Sequence, residues 1–428
     1  MEWPLSDLIK QLTSGSRVIQ TRQEEGEFTD KLFEEIAEIK EILRDEEDVI
    51  GIEIEETDND FNISRINHDE DFDFDALKMY GGRRRCTLDD DGNVTSYYDD
   101  PTYTEDGSIG QVMVEQPNYY YKYTKIPEGA IYLISENEKT GFEPMFDRGG
   151  YDYDYIYLPA YEGSVYDVSN DEYLLEDEQT VDFAEDMLSS IADAQPMSGD
   201  DQSAHIENCR QLAHNRGDGW EQWTFDAVFS EQLLFAIEFA TFDWQSLSEG
   251  ITNLNSGDSN HSQNTGHTSS LGNETGEVVI SPLENGASGA SETYAFSYRG
   301  VENFFGNRWQ FIDGINIQDH VPFINNDFDF ESDKFTGNYE SLNIQLPTSN
   351  GYGSNLINHY SFLPKENEGS SSTYYYDYFY QNSGDRIVRL GGNWGSELRA
   401  GAFCWIVTYS SSNAIRAIGA SVLYYPKN

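Results

Sequence analysis

The sequence predicts an α+β fold made of short strands, two helices and long loops. Residues 50–56 place isoleucine at every second position, as in a strand with one buried face. Residues 203–213 and 224–241 are predicted to be helices, since apolar residues recur at helical spacing in the second segment. Residues 250–289 are rich in Ser, Asn, Gly and Thr, which is typical of a long surface loop.

The charge and composition of the chain indicate a folded, acidic protein and exclude some classes of partner. The chain has 428 residues with 78 acidic and 26 basic side chains, and its net charge is −52 at pH 7. Aromatic residues make up 14% of the chain, which argues against disorder. The acidic excess and the presence of only ten lysines favour a halophilic protein, although an acidic surface without salt adaptation is the alternative. Nucleic acid and anionic membranes are excluded as partners because both require basic patches.

The cysteines and the terminal segment indicate neither a metal centre nor a membrane span. Cys86, Cys209 and Cys404 are far apart and form no CxxC pair, so neither a disulfide framework nor a zinc site is predicted. Residues 1–12 lack the apolar run of a signal peptide, and no stretch approaches the roughly 20 apolar residues of a membrane span. No cofactor is predicted, and the metal content is left open, since the many carboxylates could hold structural cations.

Composition divides the chain into four regions. Residues 1–49 are predicted to be a helical attachment or oligomerisation segment, because apolar residues recur there at spacings of 4, 4, 3 and 4. A helix packed on its own domain is the alternative. Residues 50–165 are β-rich, residues 166–201 form an acidic insertion, and residues 202–428 form the predicted ligand-binding domain.

A series of motifs occurs in the order typical of one family. Its members here are Gly110–Glu115, Tyr119–Lys122, Leu233–Thr241, Tyr298–Gln310, Leu390–Gly395, Ala400–Phe403, Ser410–Asn413 and Ile418–Ala420. This series resembles C-type-lectin-fold proteins, which include receptor-binding proteins of tailed viruses, variable proteins of diversity-generating retroelements and formylglycine-generating-enzyme-like domains. The resemblance runs from about residue 50 to the end of the sequence. Ser421 stands where the family often has arginine.

The resemblance implies an α+β C-type lectin fold and a virion protein of the tail fibre or baseplate. Such a protein would attach the virus to a host surface glycoprotein or glycan, act outside the cell during attachment, and join other tail or capsid proteins as a homotrimer. A spike or decoration protein without receptor contact is the alternative. Enzymatic activity is not expected. The formylglycine-generating enzymes use a cysteine pair for copper, and only Cys404 lies in the corresponding stretch.

The candidate site lies in the C-terminal loops, where aromatic residues alternate with polar ones. Aromatic rings stack on sugar or protein surfaces, and polar groups fix the orientation of the ligand. The candidate ligand-binding residues are Asn393, Trp394, Ser396, Glu397, Arg399, Trp405, Tyr409, Asn413, Ile415 and Arg416. Those expected to be exposed are Trp394, Glu397, Arg399, Tyr409, Ile415 and Arg416. Trp405 could instead lie on the inward face of a core strand.

Three polar residues of the Tyr298–Gln310 motif are predicted to support the site without contacting a ligand. Arg299, Glu302 and Asn303 stand within a strongly apolar and aromatic block. We expect them to be half-buried and paired, because an unpaired polar group is costly away from water. Their predicted role is to tie loops to the scaffold.

The acidic surface predicts that stability depends on salt. The Debye length is about 3 Å at 1 M salt and about 10 Å at 0.1 M, so dilution restores repulsion between surface carboxylates. We expect the free energy of unfolding to fall once salt drops below roughly 1 M. Urea denaturation in a series of NaCl concentrations measures this. Equal midpoints in dilute buffer and in molar salt would contradict the halophilic assignment.

Overall fold

The computed structural model describes residues 48–426, except residues 149, 201, 257–259, 326, 358 and 360. The helical attachment segment predicted for residues 1–49 lies almost entirely outside the described residues. From Ile50 onward the chain forms one folding unit.

β-structure dominates the described residues, with 37% in strands and 11% in helices. The prediction of an α+β C-type lectin fold is therefore wrong for the described residues, and the helical segment predicted before them is not among those residues. Two of the predicted helices are present, at Ile206–Asn215 and Phe225–Phe239. The fold prediction fails in the segments between and around these two helices, where many predicted loops pair as strands. Strand formation depends on cross-strand partners that a local pattern does not reveal.

The described residues form 28 strands, β1 to β28, and three α-helices, α1 to α3. In chain order the strands are Val49–Glu56, Phe61–Ile66, Arg84–Leu88, Val94–Tyr97, Gln111–Pro117, Tyr120–Ile126, Gly129–Ser135, Glu143–Pro144, Asp147–Arg148, Tyr151–Asp152, Tyr155–Pro159, Ser164–Asp167, Glu172–Leu174, Met187–Ser189, Trp220–Gln222, Gly276–Ile280, Thr293–Tyr298, Val301–Glu302, Trp309–Gln318, Val321–Ile324, Glu340–Ser341, Gly351–Leu356, Pro364–Gly369, Tyr378–Gln381, Asp385–Gly391, Gly401–Val407, Ile418–Gly419 and Val422–Tyr424. The helices are Lys78–Gly81, Ile206–Asn215 and Phe225–Phe239, and short 3-10 turns occur at Phe74–Ala76, Trp244–Ser246, Ser269–Leu271 and Glu397–Arg399.

The described strands pair into six sheets. The largest has nine strands in the order β21-β20-β19-β25-β26-β24-β22-β23, with β27 added in parallel to β19. A six-stranded sheet has the order β15-β28-β11-β5-β3-β4, and a five-stranded sheet has the order β2-β1-β7-β6-β8. The smaller sheets are β13-β12-β14, β16-β17-β18 and β10-β9. The sheet of β12 to β14 lies mostly within residues 166–201, the predicted acidic insertion.

Helix α3 lies in the middle of the main hydrophobic core. Twelve of its 15 residues are buried, as expected of a helix that is apolar on all sides. Its buried polar side chains have partners. Glu231 accepts a hydrogen bond from Arg83 at 2.8 Å with both side chains buried, and Gln232 Nε2 donates to the carbonyl of Ala402 at 2.6 Å. The helix is thereby joined directly to β26 of the nine-stranded sheet.

The three polar residues predicted to tie loops to the scaffold form hydrogen bonds, but only Arg299 is half-buried as expected, since Glu302 and Asn303 are fully buried. Arg299 forms an ion pair with Glu238 at 2.7 Å. Glu302 is buried and accepts hydrogen bonds from the backbone of residues 266–268, at 2.8 and 2.6 Å. The buried Asn303 side chain accepts from a backbone amide of β17 at 3.3 Å. The predicted surface loop of residues 250–289 is therefore fastened to the core along part of its length.

Gly401, the first residue of β26, has no room for a side chain. Its φ is +154°, and a Cβ at this position would lie 2.1 Å from Oδ1 of Asp377. We expect Gly401→Ala to lower the free energy of unfolding by about 3 kcal/mol, because a carboxylate in a packed site must move. Urea denaturation measures the change.

Gly337 provides the matched control for this substitution. Its φ is +76°, and nothing lies within 4 Å of a Cβ built there. Gly337→Ala should cost only about 1 kcal/mol, the cost of the backbone conformation. Equal losses for the two variants would show that the collision with Asp377 is not the cause.

Candidate binding surface

The nine-stranded sheet has two faces with different surroundings. Val388 and Leu390 of β25 face the main core, which contains helix α3. Ile387 of the same strand faces the opposite side, with Phe311 of β19 and Ile406 of β26, in a second hydrophobic cluster. This division follows from the strand period of two. The second side is called the outer face below.

At one edge of the outer face, three tyrosines form a continuous ladder of rings. Tyr352 of β22 lies opposite Tyr378 of β24, and their ring centroids are 5.1 Å apart at 82°. The Tyr378 and Tyr380 rings are 4.6 Å apart, and Tyr380 meets the edge of Trp309 at 5.9 Å. The three tyrosines are half-buried, so part of each ring faces solvent. Tyr352, Tyr378 and Tyr380 are called the tyrosine face.

Arg399 places a cation beside the tyrosine face. Burial raises the pKa of Tyr352, and the charge of the neighbouring Arg399 partly opposes that rise. Burial likewise raises the pKa of Tyr380, again against the charge of Arg399. Arg399 is exposed, and the adjacent Leu398 is 61% exposed. A cation and three rings are therefore available together at one surface.

The turn that carries Arg399 is held by its own polar residues and by one neighbouring loop. Asn393 Oδ1 accepts from the hydroxyl of Ser396 at 3.0 Å, and the amide of Asn393 donates to that hydroxyl at 2.9 Å. The amide of Glu397 donates to the carbonyl of Thr252 at 2.8 Å. Glu397 is exposed, as predicted, while Asn393 and Ser396 are used in shaping the turn.

Three predicted ligand-binding residues are buried, namely Trp394, Ser396 and Trp405. Trp394 is 1% exposed and Trp405 is 0% exposed. The expected exposure of Trp394 is therefore wrong. Gly391 and Gly392, with φ of +100° and +88°, turn the chain, and the indole of Trp394 packs against the guanidinium of Arg308 at 5.5 Å. Trp405 lies on the inward face of β26, which was the alternative for that residue.

The candidate ligand-binding residues between positions 409 and 416 belong to a segment that covers a buried cation. The Arg389 guanidinium is sandwiched between the rings of Tyr409, at 4.4 Å, and Phe311, at 5.0 Å. Asn413 Oδ1 accepts from Arg389 Nη2 at 2.7 Å. Burial lowers the pKa of Arg389 to about 9. Tyr409 and Asn413 are therefore half-buried covers of the outer face, and Ile415 packs on the same hydrophobic cluster.

A single buried arginine joins the C-terminal segments to the rest of the chain. Arg308 is 0% exposed and pairs with Asp177 at 2.7 Å. Its guanidinium also donates to the hydroxyl of Ser262 at 2.8 Å and to the backbone carbonyl of Arg416, and it lies against the ring of Trp394. The side chain of Arg416 extends elsewhere, to Glu178 at 3.4 Å. Arg308 thus connects four segments that are distant in sequence.

The sequence prediction missed the tyrosine face. It assigned the aromatic contacts to Trp394 and Trp405, although Tyr378 and Tyr380 stand two residues apart in a run dense in tyrosine. That spacing puts two rings on one side of a strand. The partner ring of Tyr352 comes from a strand with no local sign of pairing to β24, so only the three-dimensional structure reveals it.

Within the described part of the chain, no group of three or more His, Cys, Asp or Glu side chains is arranged to hold a metal ion. None of the helices described is long and apolar enough to cross a membrane. Cys86, Cys209 and Cys404 are buried and unbonded to one another.

Comparison with known proteins identifies no family for this chain. No family model and no curated protein matches the chain. Among solved structures, the Major Tropism Determinant P3c Variant is similar at 14% sequence identity, with a TM-score of 0.27, and the match covers 80% of this chain and 71% of that one. At this TM-score the likeness supports no argument about fold or function.

The carboxyl group of Asp377, under the tyrosine face, predicts a pH effect. It is 3% exposed and accepts a hydrogen bond from the amide of Phe403 at 2.7 Å. Burial raises its pKa well above the usual range. The folded protein therefore keeps a proton that the unfolded chain releases. The contribution of this carboxyl group to the free energy of unfolding is fully present below about pH 4. It is lost as pH rises through the folded-state pKa.

We expect Asp377→Asn to become progressively more stable than the wild type as pH rises above about 4, by up to about 1.4 kcal/mol per pH unit. The amide keeps an acceptor for Phe403 and carries no charge. Asp377→Ala, which removes the acceptor, should instead be less stable at low pH. Urea denaturation of the three proteins from pH 4 to 8 at constant salt measures both effects. A pH-independent difference between wild type and D377N would contradict the buried-carboxyl assignment.

Proposed function

We propose that this chain is a virion receptor-binding protein of a tail fibre or baseplate, which attaches the virus to a glycoprotein or glycan on the host surface. The observation that carries the proposal is the tyrosine face with Arg399 at its edge. The ordered series of motifs in the sequence supports the class of protein. We further propose that the chain acts by binding and not by catalysis, in a homotrimer joined to other tail or capsid proteins.

The chemistry of the tyrosine face suits a glycan or a glycosylated protein. Tyrosine presents a large, rigid apolar surface together with a hydroxyl group, so it stacks on a sugar ring and bonds to its hydroxyls. Aromatic and arginine side chains are also the usual anchors of protein interfaces. Arg399 supplies a donor for a carbonyl or an acidic group of the receptor.

The tyrosine face is also rigid, and a rigid surface favours binding. The rings of Tyr352, Tyr378 and Tyr380 stand on paired strands and pack against one another and against Trp309. Little conformational entropy is therefore lost when a ligand immobilises them. Beneath them, β26 is held by Asp377 and by Gln232 of helix α3.

Substitution of the tyrosine face tests the proposal. We expect the double variant Tyr352→Ala with Tyr378→Ala to reduce adsorption of the purified protein to host cells at least tenfold, since each lost stacking contact is worth about 1 kcal/mol. Arg399→Ala should slow association and make it less sensitive to salt. Fluorescence-labelled protein and competition with virus measure adsorption, and urea denaturation verifies folding.

Arg386→Ala is the matched control, because Arg386 is an arginine at the other end of β25 whose guanidinium donates to the nearby backbone carbonyls of Asp385 and Ser383. It should adsorb like the wild type. Full adsorption by a folded Y352A/Y378A variant would move the receptor site elsewhere. Failure of the wild type to adsorb or compete would favour the spike or decoration protein.

A further inference from the structure

A cleft lies away from the tyrosine face, beside the six-stranded sheet. Its volume is about 690 Å³, which is within the usual range of small-molecule sites, about 300–1,000 Å³. Strand β15 and the residues just after β28 form its floor, and Tyr151 stands at its edge with 56% of its surface exposed. It shares none of its lining residues with the tyrosine face.

One wall of the cleft is a cluster of three rings. Tyr425 meets Tyr153 at 5.3 Å and Phe328 at 4.8 Å, between ring centroids. The Tyr425 hydroxyl donates to Asp226 at 2.9 Å and lies 3.0 Å from the hydroxyl of Thr224. These bonds fix the ring, so the wall is a preformed apolar surface.

The polar side of the cleft offers hydrogen-bond acceptors. Glu221 is 6% exposed, and its Oε2 lies 2.8 Å from Nε2 of His214. Its other oxygen, Oε1, accepts no hydrogen bond from the described residues, although the side chain lines the cleft. Asp218 adds an exposed carboxylate. A carboxylate side chain that is mostly removed from water, and that has one acceptor oxygen not used by the protein, favours a ligand that supplies a donor.

The charge of the lining selects the class of ligand. Among the described residues that line the cleft there is no lysine or arginine. The nearby Arg148 guanidinium is paired with Asp226, at 2.8 Å from Nε to Oδ2. The hydrogen bond to Glu221 raises the pKa of His214, which also lines the cleft, and the same carboxylate pairs with its charge. An anionic ligand would therefore meet carboxylates without an unpaired cation from the described lining residues. Neutral sugars present hydroxyl donors on their edges and apolar C–H groups on their faces, which match the acceptors and the rings.

The geometry points to this cleft as a second binding site, for a neutral oligosaccharide, distinct from the proposed receptor surface. A sugar ring lies against Phe328, which is half-buried and is held in place by the buried rings of Tyr153 and Tyr425. A sugar hydroxyl donates to Oε1 of Glu221. Tyr151 covers the ligand from the edge. Such a site lets the protein bind a surface glycan at a place independent of the tyrosine face.

An array of immobilised neutral and sialylated oligosaccharides tests this site with the full chain. We expect wild-type protein to bind neutral members and not sialylated ones. Tyr151→Ala and Glu221→Gln should each reduce that binding at least tenfold. Tyr151 is exposed, so Y151A is expected to fold even if E221Q does not. Tyr155→Ala is the matched control, because Tyr155 is 38% exposed on β11 and is not among the lining residues.

The outcomes separate the two sites. Loss of array binding in Y151A with retention in Y155A and in Y352A/Y378A supports the cleft. Three results would overturn the cleft proposal. They are binding that survives in Y151A, binding that is lost only in Y352A/Y378A, and no binding of any neutral oligosaccharide. Host-cell adsorption by Y352A/Y378A reports on the proposed receptor surface alone, so failure of one proposal is distinguishable from failure of the other.

Discussion

The buried guanidinium of Arg308 is the constraint on which the C-terminal half depends. A charge removed from water must be paired and hydrogen-bonded, or its burial becomes strongly destabilising. Asp177, Ser262, the carbonyl of Arg416 and the ring of Trp394 supply those partners. Each comes from a different segment, so the segments must converge for the charge to be satisfied. The turn that carries Arg399 follows Trp394 directly and is positioned by that convergence.

Burial of arginine also changes the surface. Seven arginines among the described residues are buried, namely Arg83, Arg85, Arg148, Arg210, Arg216, Arg308 and Arg389. Each is a positive charge withdrawn from solvent, so the exterior is more acidic than the ratio of 78 acidic to 26 basic residues suggests. An exposed arginine beside three aromatic rings is therefore unusual on this surface, which is why Arg399 stands out as a contact for a partner.

Local patterns in the sequence predicted some features and missed others for physical reasons. Helix α3 was predictable because its apolar residues recur at helical spacing, and the pairing of Glu302 followed from a carboxylate in an apolar block. Strand content was underestimated, since β12 to β14 depend on one another across an acidic segment. Trp394 was predicted to be exposed because glycines flank it, but those glycines turn the ring inward onto a cation that no sequence pattern connects to it.

The position of β28 has a consequence for how the chain folds. This strand, Val422–Tyr424, lies between β15 and β11 in the six-stranded sheet, which begins with Arg84–Leu88. The sheet cannot be completed until Tyr424 has been synthesised, far along the sequence from Arg84, and contacts of such long range make folding slow. During that interval apolar strand faces are open to aggregation. The repulsion between acidic chains then acts as protection for the incomplete protein, before any folded surface exists.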